Sequence, residues 1–154
     1  MHKKGQAAME FLMTYGWAIL AAIIVIAVLA VYFRPSQLSP SSVIVTAPFY
    51  GVGTTLSTTQ VQVEVRNNGG EQLDLDATTP ASLTFNSPSG GACSSVAVIG
   101  TDPIPAGGSV VLSFGTCGTT LPSGSTVNAD LTVFYTRTGS TLTLQSTGTV
   151  SGTI

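Results

Sequence analysis

The chain has 154 residues, a formal net charge of −2 and charged side chains at only 8% of its positions. This length accommodates one domain with an appendage. Because so few charges are present and acids outnumber bases, no basic surface is expected that would hold nucleic acid through its phosphates.

An apolar segment dominates the N-terminal part of the chain. Residues 11–33 carry no charged side chain, and as a helix they extend over roughly 35 Å, slightly more than the hydrocarbon core of a bilayer. Pro35 is expected to end the helix, because proline lacks an N–H donor and restricts the residue before it. The composition alone leaves two interpretations: a secretory signal peptide, for which the run is long, and a single-span membrane anchor with Lys3 and Lys4 inside.

The residues before the apolar run are more specific. The segment Lys3–Leu12, KKGQAAMEFL, places a basic residue and a glycine before Gln6, with Glu10 four residues later. This segment resembles the processing site of archaeal type IV pilins. The resemblance implies that a prepilin peptidase recognises Lys3, Lys4 and Gly5 and cuts before Gln6. It also places Glu10 at the fifth mature position, where type IV pilins usually carry glutamate.

The same resemblance implies an assembly pathway. The precursor is held in the cytoplasmic membrane, and membrane assembly machinery adds it to other pilin subunits in an extracellular filament used for adhesion. A helix that is apolar on all sides leaves lipid only when other protein covers it. Ala18 and Ala22 have the small-xxx-small spacing that lets helices approach closely. Glu10 either compensates the helix N-terminus or pairs with the freed amine of Gln6, and both roles remain open.

The rest of the chain is rich in β-strand patterns. Residues 35–42, PSQLSPSS, predict an extended linker. Beyond it, short alternating runs predict seven or eight strands, and the clearest is Gln60–Arg66 with Val61, Val63 and Val65 facing the core. The pattern favours an immunoglobulin-like sandwich, with a jelly roll or a small barrel as alternatives. The other predicted strands are Ser42–Thr46, Glu71–Ala77, Ser82–Phe85, Ser95–Ile99, Ser109–Phe114, Thr126–Thr136 and Thr141–Val150.

Two turn sequences predict hairpins. Asn67-Asn68-Gly69-Gly70 tolerates positive φ and is expected to join its flanking strands directly. Thr138-Gly139-Ser140 is expected to join the last two strands in the same way.

The two cysteines, Cys93 and Cys117, are predicted to form a disulfide, because the apolar helix would place the β-rich part outside the cell. The bridge closes a loop of about 25 residues and is worth roughly 3.5 kcal/mol in the chain-entropy model. Free thiols are the alternative. A metal site fits less well, because two ligands are too few and His2, the only histidine, lies in the predicted leader.

No residue set for catalysis or for a cofactor is predicted. Once the leader is removed, the chain has no imidazole to activate a serine or cysteine nucleophile. Asp74 and Asp76 alternate with Leu73 and Leu75, which indicates a solvated strand face rather than a cation site. The many serines and threonines offer sites for an O-linked glycan, which composition by itself does not establish.

The sequence therefore predicts an α+β protein, with a long hydrophobic helix followed by an all-β immunoglobulin-like head. The predicted division is a leader at 1–5, a pilin helix at 6–34, a linker at 35–42 and the head at 43–154. The leading functional prediction is a structural pilus subunit. A membrane-anchored binding module is the alternative, and a secreted hydrolase is opposed by the missing catalytic residues.

Overall fold

A computed structural model describes the backbone of residues 3–32, 40–88, 91–93, 96–115 and 121–154, and within the helix the side chains of 9–11 and 13–32. The chain divides into two compact units, Met1–Leu38 and Ser39–Ile154. The predicted leader and linker lie partly outside the described residues.

The first unit contains one helix, α1, which runs from Lys3 to Tyr32. The predicted apolar helix is therefore present, and its backbone begins before the predicted cleavage point. Its uninterrupted run of apolar residues favours a helix wherever lipid or protein covers the side chains. Pro35, which was expected to end the helix, lies outside the described residues.

The second unit is built from antiparallel β-strands, so the α+β class is confirmed. In chain order the strands are β1 (Ser42–Val45), β2 (Phe49–Leu56), β3 (Gln60–Asn67), β4 (Leu73–Leu75), β5 (Ala81–Ser87), β6 (Gly91–Cys93), β7 (Val96–Gly100), β8 (Ser109–Gly115), β9 (Thr126–Arg137) and β10 (Leu144–Thr153). One sheet has the order β1-β10-β9-β5-β6, with β4 also paired to β9. The other sheet has the order β2-β3-β8-β7.

Both sheets contribute to one hydrophobic core. Val61, Val63 and Val65 of β3 are fully buried, as their alternation with polar residues predicted. On the other sheet, Tyr135 of β9 meets Phe49 edge to face, with ring centroids 5.3 Å apart. Burying each side chain of this size stabilises the fold by about 1.5–3 kcal/mol. Other core residues are Leu73, Leu83, Ile104, Leu112, Phe114, Val127, Leu131 and Val133.

Two strands were not predicted, and each lacks a readable alternation. β2 contains Gly51 and Gly53, between which its register against β3 shifts by a bulge. Gly51 is needed for packing, since a Cβ there would lie 2.5 Å from the Val43 carbonyl oxygen of β1. β6 has only three residues, two of them Gly91 and Ala92.

The predicted hairpin at Asn67-Asn68-Gly69-Gly70 is wrong. The strand before it, β3, belongs to one sheet, whereas β4 after it pairs with β9 in the other. The turn chemistry is present, because the Gly69 N–H donates to Asn67 Oδ1 at 2.9 Å. The chain nevertheless crosses between sheets, because Leu73 and Leu75 of β4 are buried in the shared core. The predicted hairpin between the last two strands is confirmed, since β9 and β10 pair antiparallel.

Asn67 is the polar residue that holds this crossing in place. Its side chain is fully buried. Its Nδ2 donates to the backbone oxygens of Glu71, Ile104 and Pro105 at 2.9, 3.1 and 3.2 Å. Leu73 and Ile104 exchange two further backbone hydrogen bonds, of 3.0 and 2.7 Å. A single amide thus ties the β3–β4 crossing to the loop between β7 and β8.

We expect Asn67→Ala to lower the free energy of unfolding by about 3 kcal/mol, because it removes the three hydrogen bonds that Nδ2 donates and the one that Oδ1 accepts from Gly69, each worth about 0.5–1.5 kcal/mol. Asn68→Ala is the matched control, since this neighbouring amide is exposed and should change stability by less than about 0.5 kcal/mol. Urea denaturation of the full chain in detergent, followed by β-sheet circular dichroism, measures both. Equal midpoints for the two variants would contradict the role given to Asn67.

Candidate functional site

Helix α1 presents apolar side chains on every side. Its large apolar residues from Met9 to Tyr32 expose between 48% and 82% of their surface. The helix therefore carries a large apolar surface along its described length. Such a surface is stable only when lipid or other protein covers it.

The stretch Met13–Tyr32 is long and apolar enough to cross a membrane. It has 20 residues and a mean hydropathy of 2.4, and it is the one such helix in the described part of the chain. A signal sequence near an N-terminus has the same length and composition.

Glu10 lies one turn before this stretch, with its side chain exposed. The hydroxyl of Thr14 donates to the Glu10 backbone oxygen at 2.8 Å, an i−4 bond within the helix. The rings of Phe11 and Tyr15 are also in contact, tilted by 37° with their centroids 4.7 Å apart. Among the described residues the Glu10 carboxylate forms no ion pair, so it is free to pair with a group from outside the helix.

Ala18 and Ala22 are both exposed and lie one turn apart on the same face of α1. The same helix also has a shallow groove that was not predicted. An apolar groove of about 340 Å³ runs along Ile24, Ala27, Val28, Val31 and Tyr32. Their spacing of three, four, seven and eight residues is the signature of one helix face. The sequence did not single it out, because every face of this helix is apolar.

The predicted cleavage residues have a helical backbone in this structure. Lys3, Lys4, Gly5 and Gln6 lie in the first turns of α1. Their side chains are outside the described residues, so recognition by a peptidase stays a prediction.

Cys93 is 3% exposed and disulfide-bonded. It lies in β6, opposite Leu83 of β5. Cys117 lies outside the described residues, and the pairing of these two cysteines stays a prediction.

The aspartates near β4 have structural roles. Asp76 Oδ1 accepts hydrogen bonds from the N–H groups of Thr78 and Thr79, at 2.9 and 2.8 Å, and so caps a turn. Asp102 Oδ1 accepts from the Leu75 N–H at 3.1 Å. In the parts of the chain that the structure describes, no three His, Cys, Asp or Glu residues form a group able to hold a metal ion.

Burial raises the pKa of Asp102 above its ordinary value, and the charge of nearby Asp74 raises it further, while the hydrogen bond from Leu75 opposes both. A raised pKa means that the folded chain holds this proton more tightly than the unfolded chain. The contribution to stability is therefore present below about pH 3.8 and is lost as the pH rises through the raised value.

We accordingly expect Asp102→Asn, which keeps an oxygen to accept from Leu75, to stabilise the fold at pH 7. The gain should be on the order of 0.5 kcal/mol, because the side chain is only partly buried and solvent screens much of its charge. The difference in stability between the variant and the wild type should vanish at pH 3, where the wild-type carboxyl is protonated. Thermal unfolding of both proteins at the two pH values measures it, and a destabilised variant at pH 7 would refute the assignment.

Comparison of the chain with protein-family models, with curated proteins and with solved structures finds no match in any of the three.

Proposed function

We propose that this chain is a structural subunit of an archaeal type IV pilus. In this proposal a prepilin peptidase removes residues 1–5, and the subunit then polymerises with other pilin subunits through α1. The β-rich unit faces outward, and the extracellular filament serves adhesion. The protein is not an enzyme and uses no cofactor.

The observation that carries the proposal is the exposed apolar surface of α1. At about 25 cal/mol per Å² of apolar surface removed from water, covering a helix of this kind is strongly favourable. Lipid covers it in the precursor, and neighbouring copies of α1 cover it in the filament. The alanine face and the Ile24–Tyr32 groove give the close approach that helix packing requires.

Glu10 supports the same proposal as the one acidic residue in the described part of α1. A carboxylate enclosed by apolar helices costs several kcal/mol unless it is paired. The cut before Gln6 creates an amine that is suited to this pairing, on the same or a neighbouring subunit. A subunit in the wrong register would leave the charge unpaired, so Glu10 selects the correct position in the growing filament.

For the second unit we propose an immunoglobulin-like sandwich that is exported and closed by a Cys93–Cys117 disulfide. Two antiparallel sheets over one core support the sandwich. The buried, disulfide-bonded state of Cys93 supports export to an oxidising compartment.

The second candidate is a monomeric surface module anchored by α1. The Met13–Tyr32 stretch favours this candidate, because it is long and apolar enough for a single membrane span. Lipid alone would then cover the helix, and no assembly into a filament would be needed.

Processing distinguishes the two candidates. Intact-mass analysis of the protein sheared from cell surfaces is expected to give a chain that starts at Gln6. A surface protein that retains Met1–Gly5 would contradict the pilin proposal and favour the anchor. A chain cut after the apolar run would identify a signal peptide instead.

A further inference from the structure

The outer face of the β1-β10-β9-β5-β6 sheet contains a shallow groove of about 510 Å³. We call it the threonine groove. Strand β10 forms its floor, and β1 and β9 form its two sides. The side chains that line it are Ile44, Thr46, Asp130, Thr132, Thr147 and Thr149.

The strand register arranges these side chains in two rows. Ile44, Thr149 and Asp130 lie side by side across β1, β10 and β9. Thr147 and Thr132 form the next row, two residues along. Neighbouring strands are about 4.8 Å apart and alternate residues on one strand are about 6.7 Å apart. The groove therefore repeats hydroxyl groups at intervals close to the size of one pyranose ring.

Several polar atoms in the groove have hydrogen-bonding capacity that the protein does not use. Within the described ranges, the hydroxyls of Thr132, Thr147 and Thr149 have no hydrogen-bond partner in the chain. Asp130 is held in orientation, because Asn86 Nδ2 donates to its Oδ2 at 2.9 Å. Its other carboxylate oxygen remains free to accept hydrogen bonds from a ligand.

The charge of the groove restricts the class of ligand. Asp130 is the one charged residue among those that line it. It repels phosphate and acidic polymers, and by itself it supplies too few oxygen ligands for a divalent cation. A carboxylate and hydroxyls together accept from and donate to a ligand that carries many hydroxyl groups. Ile44, 69% exposed at the rim, offers an apolar surface to the C–H face of such a ligand.

From these observations we propose that the threonine groove binds a neutral oligosaccharide. The free Asp130 oxygen accepts hydrogen bonds from sugar hydroxyls, the threonines donate and accept along the chain of rings, and Ile44 contacts a ring face. The open, shallow shape suits an extended glycan that lies flat. The biological role of this site rests on the proposed adhesive filament, whose ligand would be a neutral glycan. Binding of the sugar itself does not require the chain to polymerise.

The test uses the full chain in dodecylphosphocholine micelles, a detergent without a sugar headgroup, so that neither filament formation nor detergent sugar contributes. Saturation-transfer NMR is recorded with maltohexaose, mannohexaose and cellohexaose, and with an acidic hexagalacturonate. Weak binding is expected for at least one of the neutral sugars and none for the acidic one.

Two variants locate the site. Asp130→Ala should weaken binding about tenfold, and Thr149→Val, which removes a hydroxyl at nearly constant volume, should weaken it severalfold. The matched controls are Glu64→Ala and Thr55→Val, which alter a second depression of about 370 Å³ on the other sheet. The sugar affinity of these control variants should stay within twofold of that of the wild type.

The proposal is overturned if no neutral hexaose receives saturation at millimolar concentration, if hexagalacturonate binds equally well, or if Asp130→Ala binds as tightly as the wild type. Because the micelle covers α1 in place of neighbouring helices, the result is separate from the filament question. Sugar binding by a chain that forms no filaments on cells would support the threonine groove and contradict the pilus proposal. Filaments built from a chain that binds no sugar would support the pilus proposal and contradict the sugar site.

Discussion

Cells that produce the Gly5→Val chain are expected to carry no surface filament containing it, while the protein accumulates in the membrane. In the proposed processing Gly5 lies directly before the cut, where a branched side chain should block the peptidase. An uncut subunit keeps Lys3 and Lys4 at the end of α1. Two lysine charges cannot enter an apolar helix core without a large desolvation cost.

His2→Ala is the matched control for this experiment. It changes the predicted leader without altering the residue at the cut, so processing and filaments should match the wild type. Filaments built from uncut Gly5→Val protein would show that leader removal is not required, and the proposed assembly pathway would fail at its first step.

The second large effect is expected from Ala18→Leu combined with Ala22→Leu. Lipid tolerates leucine as well as alanine, so membrane insertion should be unchanged. In a filament the same face packs against neighbouring helices, where overpacking costs about 1–3 kcal/mol per site. Every subunit repeats this cost, and we expect at least a tenfold loss of filaments counted by electron microscopy at equal membrane content.

Ile19→Leu with Ile23→Leu is the corresponding control. These positions are also exposed on α1, and the exchange nearly conserves volume. Filament number should fall little. If the alanine variants assemble normally, Ala18 and Ala22 do not lie at a helix contact, and the Ile24–Tyr32 groove becomes the surface to test.

The fold was predictable where a local pattern is sufficient. Val61, Val63 and Val65 alternate with polar residues, and this pattern identified β3 and its buried face. β2 was missed because Gly51 and Gly53 interrupt the alternation. The need for Gly51 arises from the close approach of Val43, which is a tertiary contact and leaves no local signal.

Asn67 illustrates a second limit. Its turn chemistry was readable, but the sheet that the following strand joins was not. That choice depends on the burial of Leu73 and on the backbone bonds between Leu73 and Ile104, residues 31 positions apart. A turn motif describes the local backbone and carries no information on such partners.

The candidate sites divide in the same way. Glu10, Ala18 and Ala22 are neighbours in one helix, so their spacing could be read directly. The threonine groove combines residues of β1 with residues of β9 and β10, which come roughly 85 to 105 positions later in the chain. Threonine is common on strand faces, and only the register shows that Thr149 lies between Ile44 and Asp130.

In the proposed filament, α1 is covered by other copies of α1. Cryo-electron microscopy of filaments sheared from cells producing this chain tests it most directly, with the subunit identified by mass spectrometry of the same sample. We predict a filament in which this subunit begins at Gln6, its helices form the central core and its β-rich units face outward. Well-expressing cells whose filaments lack this chain, with the protein found only as a monomer in the membrane, would contradict the claim.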